Sequence, residues 1–360
     1  MNYRLGSRKT IEFLLLIECC RWSFTRANGE EIRALARRAD WRRFLDLCSR
    51  HRVEGLVQRC LRALPLALPS EIARSLSKDA AAIAEHNLRA ARESSRLLDA
   101  FTAADIPLLF VKGLTLSKLA YGDPFVKMSH DVDVLVPGDS IARAAALLDQ
   151  LGYRLTLPAA TDSAPLERWH RQRKESVWRS PDGLTLELHS RLADSPQLIP
   201  GIGVHSPRRE IEVSPGIELP TLAADELFAY LCVHGASSAW FRLKWIADLA
   251  GLLNDCSAQE IGRLFERSQQ LGAGRAAAQA LLLAAATFGT AAGSDLQRRL
   301  GRRRADRWLA RAAWAQMTRV AEPTRVRLGT ATIHLTQLLL LPGLGFKLRE
   351  LSRQLSDMRS

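Results

Sequence analysis

The run Asp131-Val132-Asp133-Val134-Leu135-Val136 constrains this chain more than any other segment. Acidic and apolar side chains alternate at its start with a period of two, and it stops at Pro137-Gly138. A helix would scatter these residues around its circumference. A strand sorts them, with Asp131 and Asp133 on one face and Val132, Val134 and Val136 on the other. The valine face requires a core to pack on, which leaves the acidic face for solvent or a ligand. Two carboxylates side by side repel, and burial makes that worse. A divalent cation relieves the repulsion: Mg²⁺ takes a few carboxylate oxygens and completes its shell with water and phosphate oxygens.

The neighbouring segments extend this pattern. The apolar run Ile106 to Val111 ends in Lys112-Gly113, and Leu114 to Tyr121 has helical spacing. Ile141 to Leu151 reads as a helix, Tyr153 to Leu157 as a strand, and residues 158 to 170 as loop. Ser176 to Arg179 and Leu184 to His189 flank Ser180-Pro181-Asp182-Gly183, which predicts a hairpin because Pro and Gly suit its turn positions. On the second hairpin strand Thr185, Glu187 and His189 share a face, opposite the leucines. Set beside the Asp strand, Glu187 would add a third carboxylate, the donor set that two-metal phosphoryl or nucleotidyl transfer needs. A glycine between strand and helix lets the backbone approach a phosphate, and Lys112 could supply a point charge. His130 points away from the acidic face and is not assigned to the metal. The plainer alternatives are a solvated acidic edge paired to arginines and a simple strand-to-helix turn.

Helical spacing dominates on both sides of this region. Trp41, Phe44, Leu45, Cys48, Val53, Leu56 and Val57 recur on one face, and a long helix is predicted from near Ser70 to Ala103. Past Thr221, Asp225 and Glu226 favour a helix start. The expected fold class is α+β (mixed α/β), a small mixed sheet flanked by helices. The expected domains are a helical region over 1–104, a catalytic core over 105–220 and a helical region over 221–360. The 51 Lys and Arg exceed the 38 Asp and Glu by 13, which admits anionic ligands. The dense cluster Arg298, Arg299, Arg302, Arg303, Arg304 and Arg307 reads as a solvated helix face, with an RNA-binding patch as the sharper alternative. Six cysteines without a CxxC pair predict buried free thiols in a reducing compartment. The apolar runs are too short for a transmembrane segment, so the expected location is cytoplasmic.

The order strand, Lys-Gly, helix, Asp-x-Asp and a later Glu-Leu-His resembles the polymerase-β-like nucleotidyltransferase superfamily. In detail the chain is similar to the bacterial family labelled uncharacterised nucleotidyltransferase, some members of which are encoded beside lasso peptide biosynthesis genes. The matching pieces are Phe110-Val111-Lys112-Gly113, Tyr121-Gly122-Asp123-Pro124, the Asp131 to Val136 run and Glu187-Leu188-His189-Ser190-Arg191. To these are added Leu231-Cys232-Val233-His234, Trp240, Lys244, Trp245 and Asp248. The resemblance implies Mg²⁺ or Mn²⁺ on Asp131, Asp133 and Glu187, and an NTP held near Lys112 and Gly113. The acceptor would be a small molecule, a peptide or RNA. Lys127 stands where the family often has arginine, keeping the charge but losing the bidentate fork. No serine follows Gly113 directly, so Thr115 or Ser117 is the candidate replacement. These departures leave open a second reading, an inactive module that binds nucleotide, RNA or a biosynthetic partner.

Overall fold

The computed structural model describes residues 9–26, 28–159 and 165–357, and it divides into two compact units. One comprises residues 1–81 and 231–360, the other residues 82–230. The chain opens with α1 (Ile11–Thr25), α2 (Gly29–Ala36), α3 (Trp41–His51), α4 (Glu54–Ala63) and the long α5 (Ser70–Ala103). Side-chain caps start two of these helices. Thr10 accepts from Phe13 N–H and Asp40 from Arg43 N–H, each satisfying a donor that the first turn leaves unpaired. Helix α5 begins after Pro69 and has the limits that the periodicity predicts.

The unit 82–230 holds the sheet. Its elements are β1 (Leu109–Phe110), α6 (Leu114–Tyr121), β2 (Asp131–Leu135), α7 (Ile141–Gln150), β3 (Arg154–Leu157), α8 (Leu166–Gln172), β4 (Glu175–Arg179) and β5 (Thr185–His189). The ribbon β6 (Arg208–Ser214) and β7 (Ile217–Leu222) follows, then the start of α9 (Ala224–Ser237). Five strands form one mixed sheet in the order β1-β2-β5-β4-β3; β2 and β5 run parallel and the other neighbours antiparallel. Val132, Val134 and Val136 lie in the core with Leu186, Leu188 and Trp178. Leu97 and Phe101 of α5 and Ile141, Ala144 and Leu148 of α7 join the same cluster. The sheet therefore packs its valine face under helices and carries its acidic side chains on the opposite face, as the alternation in β2 requires.

Two segments depart from the sequence reading. The stretch 158–170, expected as loop, leads into α8; residues 160–164 lie outside those described. Arg191 donates to the carbonyls of His170 and Gln172 at the end of α8, and Trp169 Nε1–H donates to Glu175 O at 2.7 Å. Arg191 lies 21 and 19 positions from the residues it caps, so the seven residues of the helix could not announce it by themselves. The ribbon β6–β7 was also not anticipated. Its turn, Pro215-Gly216, sits between alternating segments that read as irregular without their partner.

The second unit is helical. It contains α10 (Leu243–Leu253), α11 (Ala258–Gln270), α12 (Gly274–Phe288), α13 (Ser294–Arg302), α14 (Arg304–Met317), α15 (Ala331–Gln337) and α16 (Leu344–Asp357). Small side chains such as Ala277, Ala280 and Ala284 are buried on α12 and let it pack closely on α10, α11 and α14. Of the Arg298–Arg307 cluster, Arg298, Arg299, Arg302, Arg303 and Arg304 are exposed, and Arg298 and Arg299 pair with Asp295 and Glu266. All six cysteines are free thiols, five of them buried. No described helix is long and apolar enough to cross a membrane.

His51 in this unit is fully buried and accepts a hydrogen bond at Nδ1 from Leu243 N–H at 2.9 Å. Burial, then the adjacent Arg50 guanidinium, hold its proton affinity well below the ordinary histidine value of 6.5. The unfolded chain therefore takes up this proton first, so stability present above about pH 6.5 is lost as pH falls. Between pH 7 and 5.5 the His51 share of that loss is about 1 kcal/mol. Urea unfolding at the two pH values should show the drop reduced by this amount in His51→Gln, which keeps an acceptor but does not titrate.

Candidate metal centre

The parallel register of β2 and β5 sets Asp133 directly opposite Glu187, and Asp131 opposite Thr185. The antiparallel register of β4 and β5 sets Glu175 opposite His189. All these side chains lie on the sheet face away from the valine core, because position parity is shared across paired strands. Among the described residues, Asp133, Glu187 and His189 bring potential ligand atoms within 4.8 Å of one another. His189 Nε2 is 3.2 Å from Asp133 Oδ1 and 3.3 Å from Glu187 Oε2.

Asp133 is 8% exposed, so its charge needs a compensating partner. Lys112 Nζ provides one at 2.6 Å from Oδ1. Burial works against the ionised carboxylate, but Lys112 and then His189 outweigh it and hold Asp133 well below the usual carboxylate range. The reverse holds for Lys112: burial favours loss of its proton, and Asp133, Tyr230 and Glu187 keep it well above the ordinary lysine value. His189 is fully buried, yet the surrounding carboxylates raise its proton affinity above the ordinary histidine value.

A second lysine extends the network. Lys174 Nζ lies 2.6 Å from Glu175 Oε2, and the same oxygen is 3.3 Å from His189 Nδ1. That separation is an ion-pair distance, but Nδ1 makes no hydrogen bond. Tyr230, fully buried near both lysines, has its phenol pushed up to about 12, chiefly by burial.

The loop after β1 brings Lys112 and Gly113 to this face. Val111 N–H donates to Asp133 O, and Gly113 adopts φ +65° and ψ −123°, a conformation nearly exclusive to glycine. A depression beside them is lined also by Ser94, Ser129, Asp131 and Asp133. Thr115 Oγ1 donates to Lys112 O and Ser117 Oγ to Asp123 O, so both anticipated hydroxyls are committed to backbone carbonyls. The hydroxyl beside Gly113 is instead that of Ser129. The loop leading to Ser129 is tied to α5: Asn87 donates to Lys127 O at 2.7 Å and accepts from Ser129 N–H at 3.0 Å.

Of the six residues singled out in the sequence, Asp133, Glu187 and Lys112 converge directly. Gly113 and Asp131 line the adjacent depression, with Asp131 outside the group of three potential ligands. Lys127 is largely buried and does not line that depression. Sequence reasoning placed His189 on the correct face but did not count it as a ligand, and it passed over Lys174, Glu175 and Ser129. The shared parity of Glu187 and His189 was a signal for the first. The other three depend on pairing between distant segments. Two carboxylate oxygens and one imidazole nitrogen suit a divalent cation, and the unpartnered buried Nδ1 marks a histidine whose second nitrogen awaits a role.

A family model described as uncharacterised nucleotidyltransferase matches residues 37–289, which include every element of this site. No curated protein matches the chain.

Gly113 is the most exacting backbone position here. An added Cβ would stand 2.5 Å from Ser129 Oγ, on a backbone that L residues rarely adopt. Gly113→Ala is expected to cost about 1–3 kcal/mol. In a Ser129→Ala background the steric part disappears and the conformational part remains, so thermal unfolding of the single and double variants should show partial, not full, relief.

Proposed function

We propose that this chain, which belongs to the uncharacterised nucleotidyltransferase family, transfers a nucleotide monophosphate from an NTP to an acceptor, using a divalent cation held at Asp133 and Glu187. The observation that carries the reading is the facing pair Asp133 and Glu187 beside the Lys112–Gly113 turn. When bound, Mg²⁺ or Mn²⁺ neutralises phosphate charge and polarises the phosphoryl group under attack.

The chain's own residues supply the rest. Lys112 Nζ, which now neutralises Asp133, can turn its charge to the triphosphate once the cation takes over that carboxylate. Gly113 lets the backbone approach the phosphates closely, and the Ser129 hydroxyl beside it, which donates to Asp131 O at 3.2 Å, would serve a phosphate only by turning from that carbonyl. Asp131 lines the same depression and is the carboxylate within it for a second cation. The Glu187 oxygen that the cation leaves free would accept the proton of an incoming acceptor group. Lys127, buried in the preceding loop and outside that depression, would act only as an outer partner for the nucleotide. Some members of the family that the chain resembles are encoded beside lasso peptide genes, which makes a peptide the first acceptor to try.

One observation favours a second reading, a module that binds nucleotide without turnover. Lys112 lies on Asp133 at 2.6 Å, so the two groups needed for separate tasks neutralise each other. Incubation with labelled NTPs and candidate acceptors separates the readings: transfer of label supports the enzyme, and tight binding without transfer supports the module.

Calorimetry should show metal-dependent NTP binding by the wild-type chain, weakened by roughly 100-fold or more in Asp133→Asn and in Glu187→Gln. Asp131→Ala combined with Asp133→Ala should abolish it. Unchanged binding in that double variant would remove the metal-dependent enzyme and leave the binding module.

A further inference from the structure

His189 occupies a place that neither its sequence neighbourhood nor charge balance alone accounts for. Its ring is fully buried, so water cannot satisfy either nitrogen. Nε2 is hydrogen-bonded to Asp133 Oδ1 at 3.2 Å and lies 3.3 Å from Glu187 Oε2, so a cation would take the place of the proton between them. Neighbouring ligand atoms around an ion with bonds of about 2.1 Å are separated by about 3 Å, so these spacings suit three atoms sharing one cation. Nδ1 points the other way, 3.3 Å from Glu175 Oε2 and without a hydrogen bond. Glu175 is held there twice, by the strand register that sets it opposite His189 and by Lys174 at 2.6 Å.

We propose that His189 binds the cation through Nε2, that Glu175 positions it by accepting from Nδ1–H, and that the mixed donor set selects first-row transition ions such as Mn²⁺ over Mg²⁺. This rests on the metal-dependent reading above. A carboxylate on the far nitrogen fixes the tautomer that presents the Nε2 lone pair, a common arrangement for ligating histidines. Imidazole is a softer donor than water or carboxylate. Replacing one oxygen donor by nitrogen therefore favours transition ions, whereas Mg²⁺ favours an all-oxygen shell. Glu175 acts through His189 and is a positioning residue. Lys174 holds Glu175 in place.

The test uses the full chain with Mn²⁺ as the probe, followed by pulsed electron paramagnetic resonance and by titration, with Mg²⁺ as competitor. The wild type should show coupling of Mn²⁺ to a directly bound nitrogen and should bind Mn²⁺ at least about tenfold more tightly than Mg²⁺. His189→Gln should lose the nitrogen coupling and most of the Mn²⁺ preference. Glu175→Gln should keep the coupling but weaken Mn²⁺ by about 10- to 100-fold, and it remains informative if His189→Gln does not fold. Mn²⁺ bound without nitrogen coupling, or equal weakening of both ions in His189→Gln, would overturn the proposal. If that binding still depends on Asp133, the carboxylate centre survives. Unchanged Mn²⁺ affinity in Glu175→Gln overturns its positioning role. Absence of Mn²⁺ binding by the wild type overturns this proposal and the metal-dependent reading together.

Discussion

The carboxylate of Asp133 is buried on a sheet face and remains ionised, and that charge organises its surroundings. A buried charge without a partner costs several kcal/mol, so the fold must deliver opposite charges from wherever the chain can supply them. Lys112 arrives from the loop after β1 and His189 from β5, two strands that flank β2 on either side. The compensation then passes outward to Glu175 and to Lys174. Charges alternate along this path from lysine to lysine. Changing one member leaves its neighbour buried and unpaired, so the members are expected to act as a unit.

The sheet separates two tasks by its pleat. One face carries Val132, Val134, Leu186 and Leu188 into the helices, which fixes the strands in place. The other presents Asp133, Glu187 and His189 from those same rigid strands, with positions set by backbone hydrogen bonds. The flanking loops are held nearly as firmly. Asn87 of α5, fully buried, grips both Lys127 O and Ser129 N–H, and His86 lies 2.7 Å from Ser129 O. Ser129 in turn closes over Gly113. The turn that would meet a phosphate and the strand that would meet a cation are thus braced by one helix.

The state described here is neutralised from within. Lysine and histidine occupy the carboxylate oxygens that a cation would use. Cation entry would therefore be an exchange of partners, not the filling of an empty cage, and the displaced Lys112 charge would become available to an anionic ligand. Whether the family activity operates in this chain turns on that exchange. The favourable Coulomb energy of Lys112 with Asp133 in a low-dielectric setting is the term it must overcome.

Much of the local structure could be read directly from residue order. The limits of α5, the β4–β5 hairpin around Ser180 to Gly183 and the β2 alternation all rest on interactions within a few residues. Local sterics and periodicity determine such features without reference to the rest of the chain. The neighbours of each strand were decided elsewhere. Period two tells which face Asp131, Asp133, Glu175, Glu187 and His189 share, but not that β2 lies parallel to β5 or in which register. Shifting that register by two residues would leave every valine in the core and pair Glu187 with a different residue. Only the packing of helices on the opposite face and the loop connections select one register. They bring Asp133 to Glu187 and His189, leave Asp131 beside the glycine turn, and admit Glu175, with Lys174 just before it, from a strand whose sequence carries no acidic motif.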